Sequence, residues 1–333
     1  MTAPVVSRAE WLTLKRSNLT LGSSSAAAAC GLDGYRSTFA LYCELRGECE
    51  REDASGREAV YWGNVLERVV IGETLKRCAL EPVDLCYSSQ REALESTLAR
   101  IGAARVECYV QDGETIQPML VSIERPWQIA TLDAVALDGP DLVVIEAKTA
   151  SAYKASDWAD GKCPDAYRVQ ALHQLAVSGL PRVILAALIG GQAFKAVEIP
   201  REVGVDYLCS IESELIRRVQ SGDAPKADGS ESSYRTLSLL HPDDNGKTIV
   251  LPTVATSITA EIAQLHEKLA PLSEESERIG EEIASREALI RQMIGGNTFG
   301  LLPDGSGKWS LKTQRTPGGG TTRVLRSVER KRK

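Results

Sequence analysis

Three residues whose types suit metal-assisted hydrolysis lie within sixteen positions of one another: Asp133, Glu146 and Lys148. Side chains alternate between the two faces of a strand, so Glu146 and Lys148 point the same way. The Asp-Gly-Pro-Asp turn at 138–141 folds the predicted strand 128–137, which carries Asp133, back beside the second strand. We therefore expect the two carboxylates to converge on one divalent cation.

The chemistry available to such a group is phosphodiester hydrolysis. Mg²⁺ prefers oxygen ligands and keeps several waters, which two carboxylates allow. A bound cation lowers the pKa of its water and stabilises charge on a phosphate. Lys148 beside it would orient the water or stabilise the developing charge. An isolated D…ExK pattern also describes an edge strand with solvated charges, and these residues alone leave both interpretations open.

Three further segments carry polar groups that could join this site. The motif W-G-N-V-L-E puts the acid Glu67 on a predicted helix before the hairpin. After the hairpin, Gln170 and Gln174 lie one turn apart on one face of a predicted helix over 164–178. A Ser-rich helix start at 22–25 offers backbone N–H groups that suit an anion.

The elements that must position these groups alternate between strands and helices. Besides the hairpin, strands are predicted at 104–110, 117–123, 183–188 and 193–199. Helices are predicted at 37–46, 56–79, 164–178 and 206–220. This alternation predicts an α/β fold with a central mixed β-sheet flanked by helices.

The chain divides by composition into a core and a C-terminal part. The core is predicted over 1–222, followed by a linker with short strands over 223–254. Residues 255–295 form a heptad helical segment, and 296–333 a basic β-hairpin and tail.

The heptad segment has apolar residues at alternating spacings of four and three from Ile258 to Met293. Ser276 and Arg286 are the two exceptions. Such a stripe serves packing, either between subunits or along the core. Pro271 interrupts it and predicts a kink or two antiparallel helices.

The composition excludes several classes of protein. Of 333 residues, 43% are hydrophobic and 25% charged, unlike a collagen, a wholly disordered chain or a disulfide miniprotein. No run approaches the about 18 apolar residues of a membrane span, and residues 1–16 have no signal-peptide core. The eight cysteines include no C-x-x-C pair, so no zinc site is predicted. Reduced thiols are expected, although scattered cysteines leave an iron–sulfur cluster open.

Charge is distributed unevenly. The net charge is −6, yet residues 303–333 carry nine Lys and Arg against two acids. A basic end on an acidic body indicates contact with a polyanion, or a solubilising tail.

Four motifs in order carry a resemblance to a known family. They are G-S-S-S-A-A-A-A-C-G-L at 22–32, W-G-N-V-L-E at 62–67, L-D-A-V…V-I-E-A-K at 132–148 and Y-R-V-Q-A-L-H-Q-L-A-V at 167–177. Together they resemble the YqaJ-type viral recombinases, which belong with the lambda exonuclease and the wider PD-(D/E)XK (restriction-endonuclease-like) nucleases. The resemblance extends over roughly residues 8 to 200.

The resemblance implies an enzyme that degrades DNA. Its members are Mg²⁺-dependent 5′-to-3′ exonucleases, with Mn²⁺ as a substitute, that act on double-stranded DNA ends. The 3′ single strand left behind serves a phage annealing protein in homologous recombination. A phage-encoded member would work in the host cytoplasm, and the lambda enzyme's ring-shaped trimer suggests a homo-oligomer.

The resemblance also assigns roles to residues. Asp133, Glu146 and the backbone carbonyl of Ala147 would bind the metal, with Glu67 supporting a second metal or its waters. Lys148 would be the catalytic lysine, with Gln170 beside it. The 5′-phosphate would be held by Arg16 and a serine near Ser24, a role for which Ser23, Ser24 and Ser25 compete. The sequence departs from the family where Ser-Ser-Ser replaces an acid-containing turn, and where Leu172 replaces a glutamine.

Other functions remain open at this level. They are a PD-(D/E)XK endonuclease, a Cas4-like iron–sulfur nuclease, a non-catalytic DNA-binding or assembly protein of the same fold, and a coiled-coil adaptor. The absence of cysteine after Cys209 counts against the iron–sulfur nuclease. The intact Asp133, Glu146 and Lys148 set counts against the non-catalytic protein.

Overall fold

The computed structural model comprises two compact units, Met1–Asp244 and Asn245–Lys333. The structure describes residues 5–7, 9–10, 19–51, 54, 56–83, 88–112, 115–201, 204–315 and 320–329. Arg16 lies outside these residues.

Within the described residues, the strands form three sheets. In chain order they are β1 (Val5–Val6), β2 (Leu21–Gly22), β3 (Glu81–Pro82), β4 (Ala104–Asp112), β5 (Thr115–Ser122), β6 (Gln128–Thr131), β7 (Ala134–Asp138), β8 (Asp141–Ala150), β9 (Arg182–Ile189), β10 (Ala193–Pro200), β11 (Phe299–Leu301), β12 (Gly307–Arg315) and β13 (Thr321–Glu329). The sheet orders are β1-β4-β5-β6-β2, β10-β9-β8-β7-β3 and β11-β12-β13.

The helices lie between these strands. They are α1 (Ala26–Ala29), α2 (Thr38–Leu45), α3 (Glu58–Arg77), α4 (Ser88–Ile101), α5 (Asp165–Ser178), α6 (Val205–Ser221), α7 (Glu231–Leu240) and α8 (Val254–Ile294). Two 3₁₀ segments, Ser23–Ser25 and Ala152–Gly161, precede α1 and α5. None of the helices described is both long and apolar enough to cross a membrane.

The sheet that carries the ExK motif is mixed and covered on both faces. β7 and β8 pair antiparallel, whereas β8 and β9 pair parallel across the α5 crossover. Val144 packs on the α5 side with Leu175, and Val143 packs on the α3 side with Ile71. Because both faces are buried, β8 is a continuous apolar run up to Glu146 rather than an alternating one. The predicted α/β fold, with a central mixed sheet between helices, is confirmed.

The predicted strand 128–137 is wrong in one respect that matters for the site. β6 ends at Thr131 and β7 begins at Ala134, and the two strands belong to different sheets. Leu132 and Asp133 form the bend at which the chain passes from one sheet to the other. Leu132 is buried and anchors the bend, and Asp133 beside it is partly buried.

Two predictions for the C-terminal part also need correction. Residues 231–240, placed in a linker with short strands, form α7, whose first turn is capped by the Ser230 hydroxyl accepting from the Ser233 N–H. α8 runs without a break through Pro271, so the two-helix alternative is wrong. Proline removes only one hydrogen bond from a 41-residue ladder, and the helix continues.

The second unit has a small core of its own. Ile294 at the end of α8 packs with Leu311 of β12 and Leu325 of β13. The Arg323 guanidinium donates to the carbonyls of Gly295 at 2.6 Å and Asn297 at 2.5 Å, and so joins the sheet to the helix end. This basic residue is therefore structural.

Candidate active site

The β7–β8 hairpin brings Asp133 beside Glu146. In the register of this pair Ala134 faces Ile145, so the next position along places Asp133 next to Glu146. The Ala147 N–H donates to Asp133 Oδ2 at 2.9 Å and holds the carboxylate there. The predicted convergence of the two acids is thus present in the structure. The predicted ligand role of the Ala147 carbonyl stays a prediction.

Glu146 is the most tightly held group of the site. Its side chain is 1% exposed. Oε1 accepts from the Lys148 ammonium and from Gln170 Nε2 at 2.5 Å, and Oε2 accepts from Gln174 Nε2 at 2.5 Å. A buried carboxylate needs such donors, since an unpaired charge inside a protein is costly.

The sequence left open whether Gln170 or Gln174 touches the site, and the structure places both amides there. The signal was present, because Gln170 and Gln174 are four residues apart and so share a face of α5. Both amides hold the same carboxylate from that face. Gln174 is fully buried, and its Oε1 has no hydrogen-bond partner among the residues described. The bond to Glu146 is thus the hydrogen bond that this amide makes within the described residues.

The site carries more negative than positive charge. Burial, and then the nearby Glu146 carboxylate, raise the pKa of Asp133 well above its usual value. The same two causes, in the same order, raise the pKa of Glu67. Burial alone would lower the pKa of Lys148, but Glu146 and Asp133 outweigh it, and its pKa is raised. The raised pKa favours the protonated ammonium, which donates to Glu146.

These residues line a cleft of about 1220 Å³. Asp133, Glu146, Lys148 and Gln170 lie along it, and Glu67 reaches it from α3. The Lys148 ammonium also lies 5.3 Å from the centre of the Tyr167 ring, which lines the same cleft. Two arginines, Arg51 and Arg68, add positive charge to the wall.

The serine turn meets this cleft at one side. Ser23 and Ser24 line it, whereas Ser25 is not among the lining residues described. Ser24 is exposed, and its carbonyl accepts from Arg36 Nη2 at 3.2 Å. Because Arg36 also pairs with Glu44 at 3.1 Å, it fixes the turn rather than facing a ligand. Of the three candidate serines, Ser24 is the one that is both on the cleft and exposed, since Ser23 is buried.

The donor set suits a hard cation that keeps its waters. Asp133 and Glu146 supply carboxylate oxygens, with Glu67 across the cleft. Within the described residues, no group of three or more His, Cys, Asp or Glu side chains is arranged to hold a metal by itself. Mg²⁺ commonly takes one or two carboxylates and completes its shell with water and substrate phosphate. The carboxylate oxygens of Asp133 and Glu146 are ligands of the kind that a hard divalent cation takes.

His173, in the same motif as the glutamines, lies away from the cleft. It is fully buried; Nδ1 is 2.7 Å from Glu212 Oε1 and Nε2 is 3.0 Å from the Ile129 carbonyl. Glu212 Oε2 in turn accepts from Gln128 Nε2 at 2.5 Å. This network joins α5 to α6 and β6, so His173 is a structural residue.

The cysteines bear on the iron–sulfur alternative. The six described without a disulfide are Cys30, Cys43, Cys49, Cys78, Cys163 and Cys209. No cluster that could hold a metal ion forms among them in the described part of the chain. Burial raises the pKa of Cys30 to about 11, so this thiol is neutral and unreactive at neutral pH. These six positions give no support to a cluster.

Comparison with known proteins identifies the first unit. The family model of the YqaJ-like viral recombinase domain matches residues 10–181, which include every residue of the candidate site. The uncharacterized protein YqaJ of Bacillus subtilis (strain 168) is 24% identical over 286 residues, covering 84% of this chain and 77% of that protein.

Solved structures show a distant similarity. The alkaline exonuclease LHK-Exo of Laribacter hongkongensis has a TM-score of 0.41 at 12% identity, covering 64% of this chain and 93% of its own. Its complex with dAMP has a TM-score of 0.42 at 12% identity, covering 64% and 95%.

Proposed function

Because the chain belongs to the YqaJ-like viral recombinase family, we propose that it is a Mg²⁺-dependent nuclease that degrades one strand of duplex DNA from its ends, 5′ to 3′. One observation carries the proposal. Asp133, Glu146 and Lys148 converge in a cleft, with Glu146 held by two amides from one helix. A solvated edge strand, the alternative interpretation of this pattern, would leave Glu146 exposed.

We assign the metal to Asp133 and Glu146, with the Ala147 carbonyl as a third ligand and Glu67 oriented toward the waters. When bound, Mg²⁺ would lower the pKa of a coordinated water and stabilise charge on the scissile phosphate. Gln170 and Gln174 fix the Glu146 carboxylate, so its orientation does not depend on the cation. Fixed ligands reduce the reorganisation needed when substrate binds.

Lys148 supplies the positive charge that the reaction requires. Its protonated ammonium shares Glu146 Oε1 with Gln170, and both face the cleft. From there it can donate to the attacking water or to a phosphate oxygen as negative charge grows in the transition state. The neighbouring Glu146 and Asp133 carboxylates raise its pKa, which favours this role as a donor.

The DNA end is assigned to the serine side of the cleft. We propose that Ser24 contacts the 5′-phosphate together with Arg16, and that Arg51 and Arg68 attract the backbone. Ser25 is the weaker candidate, because Ser24 is the one on the cleft wall. Phosphate contacts of this kind position DNA without reading its sequence.

The experiment that tests this function uses linear duplex DNA with a 5′-phosphate, labelled at either end of one strand, in Mg²⁺ or in EDTA. We expect mononucleotides to be released from 5′ ends in Mg²⁺ only, leaving 3′ single strands. Closed circular duplex DNA is the matched substrate without ends. Cutting of the circle would identify an endonuclease, and no release from any linear duplex would exclude the nuclease.

The remaining parts of the proposal follow the family. The 3′ single strand would pass to a phage-type annealing protein for homologous recombination in the host cytoplasm. A ring-shaped trimer would thread the duplex through the enzyme and keep it on its substrate. Mn²⁺ should replace Mg²⁺, since both accept oxygen ligands.

One face of the C-terminal sheet is proposed as an additional phosphate contact. The strand register places Phe299, Lys308, Lys312 and Arg326 on that face. The ammonium groups of Lys308 and Lys312 lie 5.0 and 5.4 Å from the centre of the Phe299 ring. Lysines beside an exposed aromatic ring suit a nucleic-acid strand, which presents both phosphates and bases.

Replacing Lys308 and Lys312 together by glutamine should weaken binding of linear DNA and make it less sensitive to salt. Each lost phosphate contact lowers the slope of log Kd against log salt by about 0.9, so the pair should lower it by about 2. Binding is measured by fluorescence anisotropy in EDTA at several salt concentrations. The control replaces the exposed Lys226 and Lys247. Equal slopes in the wild type, the Lys308/Lys312 variant and the control variant would indicate that the sheet does not contact DNA and only aids solubility.

A further inference from the structure

The long helix α8 exposes an apolar stripe. Its heptad positions hold nine apolar residues: Ile258, Ile262, Leu265, Leu269, Leu272, Ile279, Ile283, Ile290 and Met293. All but the partly buried Ile290 are between 46 and 77% exposed. Contiguous exposed apolar surface of this kind marks an interaction site, because water contact along its whole length is unfavourable.

The size of the stripe fits a second helix of the same length. From Ile258 to Met293 it spans about five heptads, more than the three or four that indicate a coiled coil. At 1.5 Å per residue and a diameter of about 10 Å, this face presents a footprint of roughly 500 Å². This projected footprint is a lower bound on the accessible area buried, and a standard interface buries about 800 Å² per partner.

We propose that the stripe is covered by α8 of a second copy of this chain, and that the two helices run antiparallel. The charged and polar residues along α8 select this occupant and this direction.

Arg286 is the first of these residues. It occupies a stripe position and is exposed. In a parallel pair each stripe residue meets its own copy, so two Arg286 guanidiniums would face each other inside the seam. In an antiparallel pair centred near residue 274, Arg286 meets Ile262 of the second copy, directly beside Glu261. The antiparallel arrangement therefore replaces the repulsion between two Arg286 side chains by an attraction between Arg286 and Glu261.

The residues that flank the stripe also favour an antiparallel orientation of the two helices. Lys268 and Glu282 both precede stripe residues, at the positions that form ion pairs between helices. In the antiparallel register each Lys268 faces Glu282 of the other copy, and two such pairs form. Glu275 meets its own copy at the centre, but Arg278 already pairs with it at 2.6 Å.

A parallel pair is disfavoured at the same positions. There Glu282 would face Glu287 of the second copy twice, and the arginines that pair with these acids at 3.4 and 3.7 Å lie on the same helix as each acid, not across the seam. Like charges at these positions oppose pairing and set the choice of orientation. The apolar layers are compatible with both directions, so the charges decide.

The first test measures the molar mass of the full chain by light scattering over a range of concentrations. The wild-type protein should show a mass that doubles as concentration rises, either from the 36.0 kDa chain or from its assembly. The double variant Leu272→Glu with Ile279→Glu should not show this doubling. Ala270→Glu with Ala284→Glu, on the same helix but off the stripe, should leave the doubling intact. All four residues are exposed within the chain, so folding is unaffected. If the stripe substitutions leave the mass unchanged, the proposal is wrong. The stripe would then be covered by another protein or by another part of the same chain.

The second test determines the direction of the helices. Lys268→Glu alone and Glu282→Lys alone should each weaken association by on the order of fivefold, because two pairs become repulsive. The two changes combined should restore the wild-type dissociation constant. If Glu282→Lys alone strengthens association, it is relieving the Glu282–Glu287 repulsion of a parallel pair, and the antiparallel arrangement is wrong.

Discussion

Replacing Lys148 by methionine is expected to reduce DNA degradation by about 10²- to 10³-fold while leaving DNA binding nearly unchanged. Methionine keeps the length of the side chain but removes the ammonium that shares Glu146 Oε1 with Gln170. That ammonium donates to the Glu146 carboxylate, and its positive charge beside the two acids is what the substitution removes from the transition state. The loss should therefore appear in kcat rather than KM.

The rate is measured as mononucleotide release from linear duplex DNA in saturating Mg²⁺, and binding in EDTA by anisotropy. Lys154→Met is the matched control, because Lys154 is an exposed lysine just beyond the end of β8. Thermal unfolding in Mg²⁺ checks that the variant is folded. A Lys148→Met protein that degrades DNA at the rate of the Lys154→Met protein would exclude a catalytic role.

Replacing Asp133 by asparagine should abolish the response of the protein to Mg²⁺ and, in EDTA at neutral pH, make it more stable. Without a cation, burial of the Asp133 carboxylate and the neighbouring Glu146 charge both raise its pKa. Asparagine keeps an oxygen that can accept from the Ala147 N–H but removes the charge. Nuclease activity should fall by at least about 10²-fold, because a metal ligand is lost.

The pH dependence of stability has a definite sign. Folding raises the pKa of Asp133. Its favourable contribution to the free energy of unfolding is therefore complete at pH values below the pKa of the unfolded carboxyl, near 3.8. It is lost as the pH rises through the higher folded value. In EDTA the wild-type protein should therefore lose stability across this range, and Asp133→Asn should lack that loss.

Denaturant unfolding in EDTA and in Mg²⁺ measures both effects. Mg²⁺ at about one hundred times its Kd should stabilise the wild-type protein by about 2.7 kcal/mol. Asp141→Asn is the control, because it lies at the exposed turn of the same hairpin and should respond to Mg²⁺ as the wild type does. Equal stabilisation of Asp133→Asn by Mg²⁺ would show that this carboxylate does not bind the ion.

The hairpin of the site could be predicted from sequence because its signals are local. The Asp-Gly-Pro-Asp turn and the β-branched run before Glu146 define two adjacent strands, and alternation then orients Glu146 and Lys148. The bend at Leu132 and Asp133 could not be predicted in this way. A strand that leaves one sheet and enters another has the same pattern of apolar and polar residues as one that continues.

Contacts between distant segments were harder to anticipate. The spacing of Gln170 and Gln174 showed that they share a face, but only packing of α5 against β8 determines that both reach Glu146. His173 is a similar case. Its partner Glu212 lies 39 residues later on another helix, and no spacing rule relates the two. The effect of Pro271 was overestimated, because the rest of a long hydrogen-bonded helix outweighs the loss of one bond.

The groups that hold Glu146 all come from one short stretch of chain. The hydrogen bond between Asp133 and Ala147 closes a loop with a sequence separation of 14 residues. The amides of Gln170 and Gln174 lie 24 and 28 residues from Glu146 along the chain. Closing such short loops costs little chain entropy, and contacts of low sequence separation form quickly. During synthesis, a nascent chain that has emerged as far as Ser178 already contains every one of these partners. The carboxylate can thus be enclosed by its own donors before the strands that complete the sheet have been made.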